Sequence, residues 1–186
     1  MIMLIGITGT DGSGKGTVVD YLVAYHGFVH YSARSILIDE LKRRSIESTR
    51  ANMRVVANEM RAEYGNDYIV THSLEKIKTV GTERAIIESI RTLAEAETLK
   101  SHGGILIAVD ADQKCRYERV QSRRSETDKV TFEEFAAHEA LEENDPDPHG
   151  MQKRKVMQMA DFSIMNDGEV EALYREIESI LQKIGI

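Results

Sequence analysis

Gly9-Thr10-Asp11-Gly12-Ser13-Gly14-Lys15-Gly16-Thr17 is the stretch whose reading decides the fold. An apolar run, Met1 to Thr8, leads into it, and Val18, Leu22 and Tyr25 follow at helical spacing. Between a buried strand and a helix, such a turn aims successive backbone N–H groups inward as an anion nest. Glycine permits the dihedrals and close approach that a side chain would block. The helix opening at Lys15 adds the positive end of its dipole. Lys15 would reach the β- and γ-phosphates of a nucleotide. Gly9, Asp11, Gly12, Ser13, Gly14, Lys15, Gly16 and Thr17 are therefore the candidate cofactor-binding residues. Gly16 stands where a hydroxyl usually follows the lysine. The hydroxyl comes next, on Thr17, which would meet a phosphate oxygen and is a candidate for ligating Mg²⁺.

Outward from the loop, short apolar runs alternate with helical patterns. The sequence predicts strands at Phe28–Tyr31, Ala85–Glu88, Ile105–Asp110 and Phe162–Met165. Helices are predicted from Ser32 as cap to about Arg44, over Arg50–Tyr64 and Asp67–Val80, and over Leu93–His102 and Lys114–Arg123. Thr131 and Glu134 form a capping-box pattern for a helix to about Asn144. Asp145–Gly150 reads as a rigid turn, Met151–Met159 as a helix, and Glu169–Ile184 as the closing helix. This alternation implies a parallel sheet covered on both faces, with ligands beyond the carboxyl ends of its strands.

The chain has 186 residues, 41% of them hydrophobic, which suits one domain with its own core. The net charge of -7 disfavours nonspecific binding to nucleic acid. The apolar start is too short to cross a membrane and reads as the first strand. With Cys115 the sole cysteine, no intrachain disulfide can form, which fits a cytoplasmic location. The six histidines show no metal-ligand spacing.

The loop resembles that of adenylate kinases and other nucleoside monophosphate kinases. Ile86-Ile87-Glu88-Ser89-Ile90-Arg91-Thr92 is similar to the family segment in which an acidic residue at a strand end precedes an arginine. Tyr117-Glu118-Arg119 with Arg123-Arg124 looks like the start of the family's lid. The whole chain resembles the archaeal adenylate-kinase-related, dephospho-CoA-kinase-like proteins through Arg61–Gly65, Ile87–Thr92 and Ala160–Gly168. The resemblance implies a three-layer α/β P-loop NTPase fold whose five-stranded parallel sheet has the order 2-3-1-4-5. Within a single kinase domain, 1–186, it implies a helical acceptor-binding insert at about 32–80 and a short lid at about 119–150. The implied activity is transfer of the γ-phosphoryl of Mg²⁺-bound ATP to a nucleoside or deoxynucleoside monophosphate. Dephospho-CoA is the second acceptor. Asn166 and Gly168 should lie by the ATP base. In the family, Ser/Thr-Gly-Asp and then an arginine follow the second strand. Here Ser32-Ala33-Arg34-Ser35 follows it, with Ile38 where that arginine would fall. This departure keeps open a non-catalytic nucleotide sensor.

Other residues are weighed within that frame. Arg50, Arg54 and Arg61 share one helix face, apart from Met53, Val56, Ala57 and Met60. That face would either bind an acceptor phosphate, with Arg34 and Arg91, or be solvated and paired with Glu47, Glu59 and Glu63. Glu88, with Asp110 as its rival, would hold the water shell of Mg²⁺. Arg91 would grip the transferring phosphoryl group, or else pair with Glu95 on the surface. Arg119 and Arg123 would close over ATP, and Arg116 reads as part of a solvated face. The candidate catalytic set is Lys15, Arg91, Arg119 and Arg123.

Overall fold

Isoleucine recurs through the three inner strands because both faces of the sheet are covered there, so no polar alternation is needed. In the computed structural model, which describes residues 2–122, 130–143 and 145–186, the strands are β1 (Met3–Gly9), β2 (Val29–Ser32), β3 (Arg84–Glu88), β4 (Ile105–Asp110) and β5 (Phe162–Met165). All pairings are parallel, and the sheet order is β2-β3-β1-β4-β5. The order expected from the resemblance is the order found.

α1 (Lys15–His26) and α9 (Val170–Lys183) cover one face, where Ile5, Ile7, Val18, Leu22, Leu173 and Ile177 form one core. α4 (Tyr68–Val80), α5 (Leu93–Ser101) and α8 (Lys153–Gln158) cover the other around Leu4, Val70, Ile87, Leu99, Leu106 and Val156. α2 (Ala33–Arg43) and α3 (Arg50–Tyr64) share a small satellite core of Leu41, Met53, Val56 and Met60. α6 (Gln113–Ser122) and α7 (Phe132–Glu143) follow β4 and precede α8 in the chain.

Most predicted elements fall within a residue or two of those observed. Helix α8 is shorter than the predicted Met151–Met159, because Gln152, at its cap, is drawn off by its N–H bonding the Arg91 carbonyl. Ser32 occupies the cap position of α2, but its hydroxyl does not cap. The Thr131 box forms as expected: the Glu134 carboxylate accepts from the Thr131 N–H at 2.8 Å, and Thr131 Oγ1 accepts from the Glu134 N–H at 3.2 Å.

A second capping box, Thr92 with Glu95, went unread in the sequence although its spacing is the same. Glu95 is fully buried. Its Oε2 accepts from the Arg91 and Thr92 N–H groups, and its Oε1 from the guanidinium of Arg61, which is itself 3% exposed. One carboxylate thus joins the start of α5 to the end of α3. Removing one partner of such a buried pair strands the other charge. Glu95→Ala is expected to lower unfolding stability by about 3–5 kcal/mol, measured by urea denaturation. A loss below about 1 kcal/mol would mean that the pair behaves like an exposed one.

Candidate functional site: the phosphate loop and its cations

The loop lies beyond the carboxyl end of β1, the central strand, from which the chain crosses to β2 and β3 on one side and β4 and β5 on the other. This is the switch point where open α/β sheets bind ligands. Gly12 has φ +80, and a Cβ there would sit 2.5 Å from the Arg116 carbonyl oxygen. Gly14 caps α1 at φ +98, and a Cβ would lie 2.3 Å from Asn166 Nδ2. Neither position has room for a side chain.

Lys15 is 9% exposed. Its Nζ donates to the carbonyls of Thr10 (2.6 Å) and Gly9 (3.1 Å) and lies 4.0 Å from Asp11 Oδ1. Burial pushes its pKa down from 10.5 to about 8; Asp11 opposes this, while Lys153 and Arg91 add to it. Ser13 Oγ is buried and has no hydrogen-bond partner among the described residues. A cradle closed to side chains, a buried lysine and an orphaned hydroxyl suit a phosphate group. They fit the polyphosphate of ATP, held by the loop and Lys15.

Asp11 gathers cations from distant parts of the chain. Arg50 Nη1 donates to its Oδ2 at 2.9 Å, Lys153 Nζ lies 3.4 Å from its Oδ1, and Arg91 Nη2 is 3.9 Å from that same oxygen. Burial alone would raise the Asp11 pKa; Lys153, Arg91, Lys15 and Arg50 together hold it well below the ordinary range. Arg91 also faces Glu142 at 3.4 Å and donates to Met151 Sδ. Its guanidinium is therefore not paired with Glu95, which takes only its backbone N–H.

Glu88 ends β3 beside Ile7 of β1. His30 Nε2 is 3.4 Å from its carboxylate, and Ser89 Oγ donates to it. Burial would raise its pKa, but His30 and Lys15 bring it below the usual value. The next residue, Ser89, has φ 70, a left-handed conformation costing roughly 1–2 kcal/mol for a residue with a side chain. That turn sends Ile90 into the core and leaves Arg91 at the crevice. Asp110, the rival of Glu88, is taken up by Thr10 Oγ1 at 2.6 Å and the Ala111 N–H at 2.9 Å. Thr17 is half-buried, and Gly16 is exposed with open space at its Cα. Among the described residues, no group of three or more His, Cys, Asp or Glu is placed to hold a metal.

The structure separates the arginines that the helical spacing grouped. Arg50 turns to Asp11, Arg54 makes a two-pronged bond to buried Asp145, and Arg61 goes to Glu95. The basic face of α3 points inward to carboxylates of other elements rather than to Glu47, Glu59 or Glu63; Glu59 pairs with Arg44. Arg34 is exposed on the first turn of α2. Arg119 donates to the Asn166 carbonyl at 2.9 Å, and Asn166 Nδ2 donates to the Ser13 carbonyl, so the loop after β5 is tied to the phosphate loop. Gly168 is exposed. Arg123 and Arg124 lie outside the described residues.

Arg116 corrects the solvated-face reading. It is 5% exposed, pairs with Glu139 and donates to the carbonyls of Ala111 and Asp11, because α7 packs over it. Lys153 and Glu142 were missed altogether. Lys153 falls within Gln152-Lys-Arg-Lys155, where only its spacing of three from buried Val156 marked it as inward.

Residues 5–147 match the AAA domain family. The UPF0200 protein of Thermococcus sibiricus is 30% identical over 190 residues, covering 99% of this chain and 96% of that one. The chain is an AAA-domain protein of the UPF0200 family. Among solved structures, TT1252 from Thermus thermophilus is similar to this AAA-domain protein with a TM-score of 0.68 at 18% identity, over 100% of this chain and 99% of that one. Shikimate kinase from Bacteroides thetaiotaomicron is similar with a TM-score of 0.66 at 10% identity, over the whole of both chains. These likenesses carry the three-layer P-loop fold. No helix among the described residues is long and apolar enough to cross a membrane.

A cleft of about 530 Å³ lies between β2, α2 and α4, lined by His30, Ser32, Ser35, Tyr68, His72 and Lys76 among others. Through His30 it adjoins Glu88.

The Lys15 pKa gives a pH signature. The unfolded chain binds more protons at this lysine than the folded chain between pH 8 and 10.5. The charged lysine therefore costs stability below pH 8, and that cost is relieved as pH rises through this window. A bound phosphate anion would favour the charged form. At pH 8.5, titration with a non-hydrolysable ATP analogue in buffers of different ionisation enthalpy is expected to show proton uptake, with affinity falling as pH rises further. Binding at that pH with no proton exchange would contradict this placement of Lys15.

Proposed function

We propose that this protein is an ATP-dependent phosphotransferase, with a nucleoside or deoxynucleoside monophosphate as its first acceptor class. The observation that carries the reading is buried Lys15 inside a glycine cradle, with Arg91 and Lys153 within reach of Asp11 on the same loop. ATP, when bound, would supply the γ-phosphoryl group. Gly9, Gly12, Ser13, Gly14, Gly16 and Thr17 would hold its phosphates, and Asn166 and Gly168 would border its base. Glu88 is the stronger candidate for ordering water about Mg²⁺ because Asp110 is already committed to Thr10 and Ala111. Thr17 would offer its hydroxyl to the same ion.

The work of such a site is positioning and charge neutralisation. Lys15 and Arg91 would stabilise the charge spread over the transferring group. Arg119, whose guanidinium already bonds the loop after β5, would steady the nucleotide side, and Arg123 would join it. The insert 32–80 would supply the acceptor pocket and residues 119–150 the lid. No covalent intermediate on the protein is needed.

A specific observation favours a second reading, in which the acceptor offers a hydroxyl, as dephospho-CoA does. Arg54 and Arg61, expected to bind a monophosphate, are neutralised by Asp145 and Glu95. The cleft beside Glu88 presents serine, tyrosine and histidine groups instead.

Coupled ADP-release assays across ribo- and deoxymonophosphates and dephospho-CoA separate these readings. Lys15→Ala should weaken ATP binding by at least the 1.5–3 kcal/mol typical of about one charged hydrogen bond, roughly tenfold or more. Unchanged ATP affinity and turnover in that variant would sink the proposal. Tight ATP binding with no turnover on any acceptor would point to the nucleotide sensor.

A further inference from the structure

The phosphate loop is covered by α7. Glu139 of that helix pairs with buried Arg116, and Gln113 donates to the same carboxylate at 3.0 Å. The Arg116 guanidinium also stands 5.8 Å from the Phe135 ring centre. These contacts fix the helix across the loop. Glu142 lies three residues beyond Glu139, on the same side, and its carboxylate enters the cation cluster. It pairs with Lys153 and lies 3.4 Å from Arg91 Nη1.

Lys153 is the unusual member. It is 2% exposed, and among the described residues its ammonium group pairs with the carboxylates of Asp11 and Glu142. Burying a lysine is expensive, and an apolar side chain would pack α8 at lower cost. A buried ammonium beside a phosphate loop suits an anion that comes and goes. Carboxylate and phosphate oxygens are recognised by the same charged donors. The space left among Asp11, Arg50, Glu142 and Lys153 is about 10 Å³, roughly one water's worth. With Glu142 in place, that space is too small for a phosphoryl group.

We propose that Lys153 and Arg91 form a phosphoryl-binding site and that Glu142 is an internal carboxylate occupying it until the terminal phosphate of a nucleotide displaces it. This rests on the nucleotide reading above and names a ligand-contacting lysine that the loop motif does not predict. Entry of a phosphate beside Asp11 with Glu142 still present would bring three anionic groups together. Glu142 must therefore withdraw, and α7 must shift with it. Nucleotide affinity is lowered by the cost of that exchange.

The experiment is calorimetric titration with Mg²⁺-bound β,γ-imido-ATP. Glu142→Gln keeps the shape and removes the competing charge, and should bind the analogue about tenfold more tightly than wild type. The double variant Glu142→Gln with Lys153→Met removes both members of the Lys153–Glu142 ion pair, while Asp11 keeps Lys15, Arg50 and Arg91, and Arg91 keeps Asp11, so neither is left without a charged partner. It should bind at least tenfold more weakly than Glu142→Gln alone, while Lys153→Arg in the Glu142→Gln background should restore most of the affinity. Equal affinity of wild type and Glu142→Gln would overturn the inference, as would a double variant matching Glu142→Gln. If neither wild type nor Glu142→Gln binds the analogue, the nucleotide reading itself falls and this inference with it. Binding by wild type without tightening in Glu142→Gln overturns the inference alone.

Discussion

Asp11 is the point on which the site's arrangement depends. Its carboxylate, in the middle of the phosphate loop, is met by Lys15 from α1, Arg50 from α3, Arg91 from the crevice after β3 and Lys153 from α8. Each of these cations would pay a desolvation penalty alone. Clustered about one anion, each has part of that penalty offset by the shared carboxylate, and three other stretches of chain are held to the loop. The surrounding cations hold the Asp11 pKa low against its burial, whereas burial, aided by Lys153 and Arg91, lowers that of Lys15.

The second constraint is Glu95. A sheet with a ligand crevice at its carboxyl edge needs the segment after β3 to be rigid, since Arg91 stands there. Glu95 supplies that rigidity by accepting the N–H groups of Arg91 and Thr92 while holding Arg61. The side chain of Arg91 is thereby left to face the loop, and the end of α3 is fixed relative to α5. The turn after α7 makes a parallel attachment. Asp145 takes Arg54 in two bonds, and Asp147 accepts from Asn58 at 2.9 Å. Helix α3 and the turn after α7 thus meet through the carboxylates of Asp145 and Asp147.

This polar wiring has a functional logic. Apolar contacts would join these elements permanently, whereas ion pairs can be exchanged for a bound anion of matching charge. The apolar cores lie on the two faces of the sheet and beneath α2 and α3, away from the crevice. The faces of the sheet are packed with aliphatic side chains, and the elements around the crevice are held by charge.

The sequence by itself determined the strands, most helix limits and the phosphate loop, and it singled out Lys15, Glu88 and Arg91 as residues at the crevice. These are local signals: apolar runs, helical spacing, glycine at positions without room for a Cβ, and a lysine at the start of a helix. The sheet order was legible only through likeness to a family, since spacing says nothing of which strand lies beside which. The partners of Arg54, Arg61, Arg91 and Arg116 were decided by tertiary structure. Each pairs with a carboxylate 23 to 91 residues away, and helical periodicity can place a guanidinium on a face without saying what that face meets. Lys153 shows the limit most clearly. Among the cations of Gln152-Lys-Arg-Lys155, composition distinguishes none, and only the folding of α7 and α8 over the loop turns Lys153 inward against Asp11 and Glu142.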